Sequence, residues 1–295
     1  MENIKNIKNI KNILEGSYDL HVHSAPDVVS RKKDDIQLVK SYMDAGMKGC
    51  LIKAHYFDTE GRAYHIRHIF PGFYAAGSLV LNNSVGGLNP YAVRQSGMLG
   101  TKFCFMPTMD ARNMWDYLEK SQAAVPFGAT SKNIGEVKAI RVCENGVLAE
   151  EIEEILDIIQ EYDMVLCSGH IGVEETLALF KRAYEKGLRK MVATHVEWPA
   201  TRADMKQQKK LISYGAFLEH NIANIISGDL LLEDLVSQIK ELGAEHMILS
   251  TDLGQAVNPE PVEMLKEYVG RLIDSGITED EIRSMIIKNP EYLLK

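Results

Sequence analysis

The sequence has no long apolar run. Nothing in it approaches the ~20 consecutive apolar residues that a membrane helix requires, so no membrane-spanning helix is expected. It has no basic excess either. Its 33 Lys and Arg stand against 41 Asp and Glu, a formal charge of -8, which argues against a general nucleic-acid binder, because such a protein needs a basic face to displace phosphate counterions. Cysteine is scarce, with Cys50, Cys104, Cys143 and Cys167 far apart and at least three of them inside apolar strand-like runs. They read as reduced core thiols rather than disulfides, in a reducing and therefore cytoplasmic setting. The first twelve residues repeat Asn-Ile-Lys three times. They lack the apolar core and small-residue cleavage site of a signal peptide, so 1–16 is expected to be an arm or short helix. No Gly-x-Gly-x-x-Gly follows the first strand, which weakens an open doubly wound sheet.

What the chain does contain is alternation. Its 295 residues, 45% hydrophobic and 25% charged, suit one large α/β barrel or two average domains. Apolar runs at 17–23, 48–54, 78–85, 101–106, 164–168, 190–194, 216–219 and 247–251 read as eight strands. Helical patterns separate them, as at 34–46, where Ile36, Val39, Met43 and Met47 recur at helical spacing, and at 174–186 and 231–242. Asn89-Pro90 carries the N-cap and N1 signature of another helix. Near-continuous apolar strands covered by helices are parallel, and eight such units close into a (β/α)8 TIM barrel over 17–295. The stretch 108–161, with a strand-like Val137 to Val142, is an insertion between the fourth and fifth strands. It is expected as a lid or oligomer contact, and the chain as a homo-oligomer.

Barrel enzymes place their chemistry at the C-terminal ends of the strands. Those ends here read His21 and His23, Lys53 and His55, His170, His195, Glu219-His220, and Asp252, so that six of the nine histidines fall at this rim. On the first strand Asp19, His21 and His23 share one face and Tyr18, Leu20 and Val22 the other. Two imidazoles at i and i+2 converge on one point, as ligands of a divalent metal do. A pair of unrelated polar residues at a strand end is the bland alternative.

Taken in order, Asp19-Leu20-His21-Val22-His23, His170, His195, Asp252 and the closing Asn289-Pro290-Glu291-Tyr292-Leu293-Leu294 resemble the amidohydrolase superfamily of metal-dependent hydrolases. The resemblance implies that His21, His23 and Asp252 bind a first metal. It implies that His170 and His195 hold a second, or act as ligand and oxyanion stabiliser where there is one. The expected cofactor is one or two divalent ions, zinc foremost, with manganese, iron or nickel as alternatives. The substrate would be a small molecule with an amide, ester, lactone or related bond. Asp252 would relay the proton of the attacking water. A mononuclear decarboxylase of the same superfamily and a non-catalytic barrel remain as alternatives.

The chain departs from the family at the fourth strand, where binuclear members place a bridging Lys or Glu and this sequence reads Cys104-Phe105-Met106-Pro107-Thr108. Lys53 can substitute by carboxylation, hold a substrate carboxylate or leaving oxygen as an ammonium, or simply pair with Asp19. The second of these is the expectation. His55, Arg202 and His220 are candidates for substrate contact, with His55 open to a ligand role and His220 to a structural one. Trp198 and Arg112 also sit in loops after strands, as surface or clamp residues. His65, His68 and His246 read as surface, and Gly86-Gly87 as a turn.

Overall fold

A computed structural model describes residues 13–121 and 138–295. Its strands are β1 (Tyr18–Val22), β2 (Gly49–Ile52), β3 (Tyr74–Ala76), β4 (Ser78–Val80), β5 (Phe103–Phe105), β6 (Cys143–Glu144), β7 (Val147–Leu148), β8 (Val165–Cys167), β9 (Met191–Ala193), β10 (Ala216–Asn221) and β11 (Met247–Ser250). Every residue of β1, β2, β4, β5, β8, β9 and β11 is buried. That is the signature of parallel strands covered on both faces, and explains why they read as largely apolar runs, with β1 the exception in burying Asp19 and His21.

The described residues divide into two compact units. The first draws on Met1–Lys53, Gly61–Gly77 and Glu219–Lys295. In it β1, β2 and β3 form a parallel sheet, with Tyr18 opposite Gly49 and Gly49 opposite Tyr74. On the other side of β1, a parallel bridge joins Val22 to Leu253, just past β11. The helix Asp35–Asp44 starts on a capping box between Asp34 and Gln37. It buries Leu38, Val39 and Tyr42, while Ile36 and Met43 are 40% exposed, so the apolar stripe is rotated from the expected one. Tyr42 explains the rotation, because its hydroxyl donates to the buried Asp19 carboxylate at 2.6 Å.

The second unit comprises Ala54–Glu60 and Ser78–Leu218. Here β4, β5, β8, β9 and the first half of β10 pair in parallel, in that order. Asn89 caps the helix Pro90–Leu99 as expected, accepting from Tyr91 and Ala92. Two expectations are corrected. The run 78–85 is strand only to Val80, because Asn83–Val85 winds into a 3₁₀ turn closed by left-handed Gly86. Within 137–142 no strand appears among the described residues, Val137 lying outside them. Ile140 makes a single bridge to Ala111, and the strands follow as the antiparallel hairpin of β6 and β7. Its turn, Asn145 and Gly146, has φ of 52° and 80°, the backbone a two-residue hairpin demands. All four cysteines are buried free thiols. No described helix is long and apolar enough to cross a membrane.

Candidate metal centre

In the first unit β1 carries His21, and His23 follows it directly, both buried. His21 Nδ1 lies 3.1 Å from each oxygen of the Glu219 carboxylate, and His23 Nδ1 lies 2.9 Å from the Lys53 carbonyl. Both partners only accept, so both rings carry their proton on Nδ1 and present the Nε2 lone pair. Those two Nε2 atoms stand 3.1 Å from the same oxygen, Oδ1 of Asp252. Three acceptor atoms converge here, and among the described residues the one cation seen against them is the Lys53 ammonium at His21 Nε2. Two imidazoles and a carboxylate suit zinc and its borderline neighbours, and the Nδ1 partners supply the outer orientation that metal-binding histidines require. The residues therefore fit a divalent cation.

Lys53 meets this cluster directly. Its Nζ is 2.8 Å from His21 Nε2, whereas the Asp19 carboxylate accepts from Tyr42 Oη, from Thr251 N and Oγ1, and from His21 N. Pairing of Lys53 with Asp19 is thus not the arrangement seen. Asp19 instead ties β1 to the end of β11. Burial raises its pKa to about 6, against the lowering effect of its Thr251 and Tyr42 hydrogen bonds. Burial also holds His23 well below the ordinary imidazole value, with Arg31 and Lys53 adding to the effect. Asp252 follows β11 with φ 49°, a left-handed conformation that costs a non-glycine residue of order 1 kcal/mol and is characteristic of functional positions. Its N–H donates to the His21 carbonyl at 2.8 Å, and its side chain is 18% exposed.

The second unit assembles its own histidines. His170 and His195 follow β8 and β9, with ring centroids 5.4 Å apart, and His55 lies 5.9 Å from His170. His195 shares the left-handed backbone, φ 53°, and its carbonyl accepts from Thr201 Oγ1. Gly169 must be glycine, since a Cβ there would collide with the Met106 carbonyl. Asn113 donates to the carbonyls of His170 and Ala200 at 3.0 and 2.7 Å, which joins the two loops. Trp198 packs on His170 at 5.0 Å and on Tyr117 at 5.8 Å. Thr108, at the strand end where a bridging Lys or Glu would stand, instead meets His55 Nδ1 at 2.8 Å and is held by Asn82.

Other candidates are placed differently. Arg202 is exposed, with Nε donating to the Glu197 carbonyl at 3.1 Å. Arg112 opens the helix Arg112–Ser121 and is committed to Asp116, so it is no free clamp. His220 is fully buried on β10. His65 and His68 are exposed on the helix Glu60–Ile69, and His246 is half-exposed. Sequence reasoning missed Glu219 as the partner of His21 and the Asn82–Thr108 support of His55. The signal for Glu219 was alternation, since neighbours on a strand point to opposite faces and His220 drew attention away from it.

In fold, with its parallel strands covered by helices, the chain is similar to solved structures of the (β/α)-barrel class. An amidohydrolase from Pseudomonas aeruginosa superimposes with a TM-score of 0.66 at 10% identity, over 98% of both chains. The phosphotriesterase homology protein from Escherichia coli, solved with phosphate in its active site, gives 0.59 at 13% over 96% of this chain and 99% of its own. A probable 2-pyrone-4,6-dicarboxylic acid hydrolase from Acinetobacter baumannii, with citric acid bound, gives 0.58 at 9% over 94% and 98%. No curated protein matches the chain. The chain belongs to the family of unknown function DUF6282, whose pattern matches residues 16–219.

Proposed function

We propose that this chain is a metal-dependent hydrolase of small molecules, cleaving an amide, ester, lactone or related bond. The observation that carries the reading is the convergence of His21 Nε2, His23 Nε2 and Asp252 Oδ1, with both Nδ1 atoms committed to acceptors. The likeness to hydrolases in fold supports it at the level of the superfamily.

In this reading His21, His23 and Asp252 would hold a divalent ion, zinc foremost, while the resemblance would give His170 and His195, in the second unit, the role of ligands of a further ion or of oxyanion stabiliser. Such an ion supplies a water acidified to a pKa near 7 and a polarised carbonyl or phosphoryl oxygen. Asp252 accepts the proton of the attacking water and returns it to the leaving group. Glu219 and the Lys53 carbonyl hold the imidazoles in the tautomer the task needs. With an ion held there, Lys53 would no longer donate to His21 Nε2 and would be left to meet a substrate oxygen. His55, held by Thr108, contacts substrate or an ion.

Thr108 favours one second reading. With a hydroxyl in place of a bridging Lys or Glu, a single-ion decarboxylase would use the same His21, His23 and Asp252. A panel of lactones, esters, amides and carboxylic acids distinguishes the two by product. Asp252→Asn tests the shared mechanism, because the amide cannot carry the proton. Turnover should fall on the order of 10²- to 10⁴-fold, with substrate binding far less affected. Unchanged turnover in a metal-loaded variant would remove Asp252 from the mechanism.

A further inference from the structure

The loop that leaves β1 carries a buried cation. The side chain of Arg31 is 4% exposed and that of its partner Asp27 is fully buried. Arg31 Nε and Nη2 both donate to one oxygen, Asp27 Oδ2, at 2.8 and 2.7 Å. The other oxygen, Oδ1, accepts from the Val28 N–H at 2.7 Å. Asp27 therefore fixes one edge of the guanidinium. The remaining Nη1–Nη2 edge is a fork of parallel N–H donors with the geometry of a carboxylate. Among the described residues no acceptor is seen on that edge.

The loop is stitched to the metal cluster within the same unit. The Arg31 backbone bridges Gln255 in antiparallel fashion, and Lys32 N donates to the Gly254 carbonyl at 2.8 Å. Gln255 Nε2 in turn donates to the Asp252 carbonyl at 3.0 Å. Gly254 packs so closely on the His23 carbonyl that any Cβ would collide with it. The Arg31 backbone is thus tied to the segment that follows Asp252. An exposed i,i+4 ion pair is worth little, and burying one costs desolvation. A mere loop clasp gains nothing from being buried here, whereas an anion anchor does, because its attraction grows as water is removed.

We propose that Arg31 is a specificity-determining residue that binds a substrate carboxylate, so that the site takes small molecules bearing an anionic oxygen pair close to the bond that is broken. This rests on the metal-hydrolase reading for its chemistry, but its test does not. Calorimetric titration of the chain as purified compares succinate with its neutral isostere succinamide, and metal content is measured separately on each sample. Wild type should bind succinate at least tenfold more tightly than succinamide. Arg31→Gln should weaken succinate roughly ten- to hundredfold, the loss of a charge-assisted pair, with metal content unchanged. Arg31→Lys keeps the charge but not the fork, and should fall between the two; it carries the test if the Gln variant does not fold. Succinate binding no better than succinamide in wild type, either variant matching wild type, or Arg31→Gln losing its metal would each overturn the proposal. Absence of metal with the succinate preference intact would instead contradict the metal reading and leave Arg31 as the anion anchor.

Discussion

Lys53 is the residue at which the sequence and the structure inform each other most. Its spacing from His55 put it on the rim of the second strand, and three roles were open to it. The 2.8 Å approach of its Nζ to His21 Nε2 narrows them, because an ammonium there donates into the lone pair that a metal ion would take. An ammonium and a divalent ion do not share that nitrogen. Replacement by methionine keeps the length and removes the competitor. Lys53→Met should therefore retain its metal content and bind the first ion about tenfold more tightly, about 1.4 kcal/mol, by competition with a chelating dye. A fall from two ions to one would show instead that Lys53 is carboxylated and bridges. The positions of His195 and Asp252 were legible from sequence, but their left-handed backbones were not, since only packing imposes such a conformation on these residue types.

At the scale of elements, the strand ends were readable because burial on both faces leaves an unbroken apolar run that stops at the first polar residue of the rim. The partners across elements were less readable. Glu219 comes from β10 and meets His21 of β1, nearly two hundred residues earlier in the chain, and nothing in either strand's own pattern announces the pairing. The hairpin of β6 and β7 went unread, although its Asn145-Gly146 turn is a hairpin signal; the strand-like reading fell instead on the neighbouring Val137 to Val142, which is rich in branched residues. The contact between Glu219 and His21 carries a prediction. Glu219→Gln keeps the size and one acceptor but gives up the charge that raises the basicity of His21. Metal affinity should fall about 10- to 100-fold, as for other outer partners of metal-bound histidines, with cooperative unfolding retained. Unaltered affinity would mean that the His21–Glu219 contact is structural only.

At the scale of the whole molecule, the fold is carried by pattern rather than by identity. The three solved structures named above agree with this chain at only 9 to 13% of positions, a level at which alternation of buried strands and capped helices persists while surface and substrate contacts do not. That is why the class of fold could be read from the sequence and why Arg31 could not be singled out. An arginine in a loop has no periodic signal, and its burial follows from backbone contacts between two distant loops. The central claim, that His21, His23 and Asp252 hold a metal ion, is tested most directly by elemental analysis of protein purified without chelator, wild type beside the double variant His21→Ala, His23→Ala. Removing both imidazoles takes away two of the three converging ligand atoms at fully buried positions. Wild type should carry at least one equivalent of a divalent metal, and the folded double variant should lack the ion these histidines hold. Stoichiometric metal retained in full by the double variant, or none in wild type, would contradict the account.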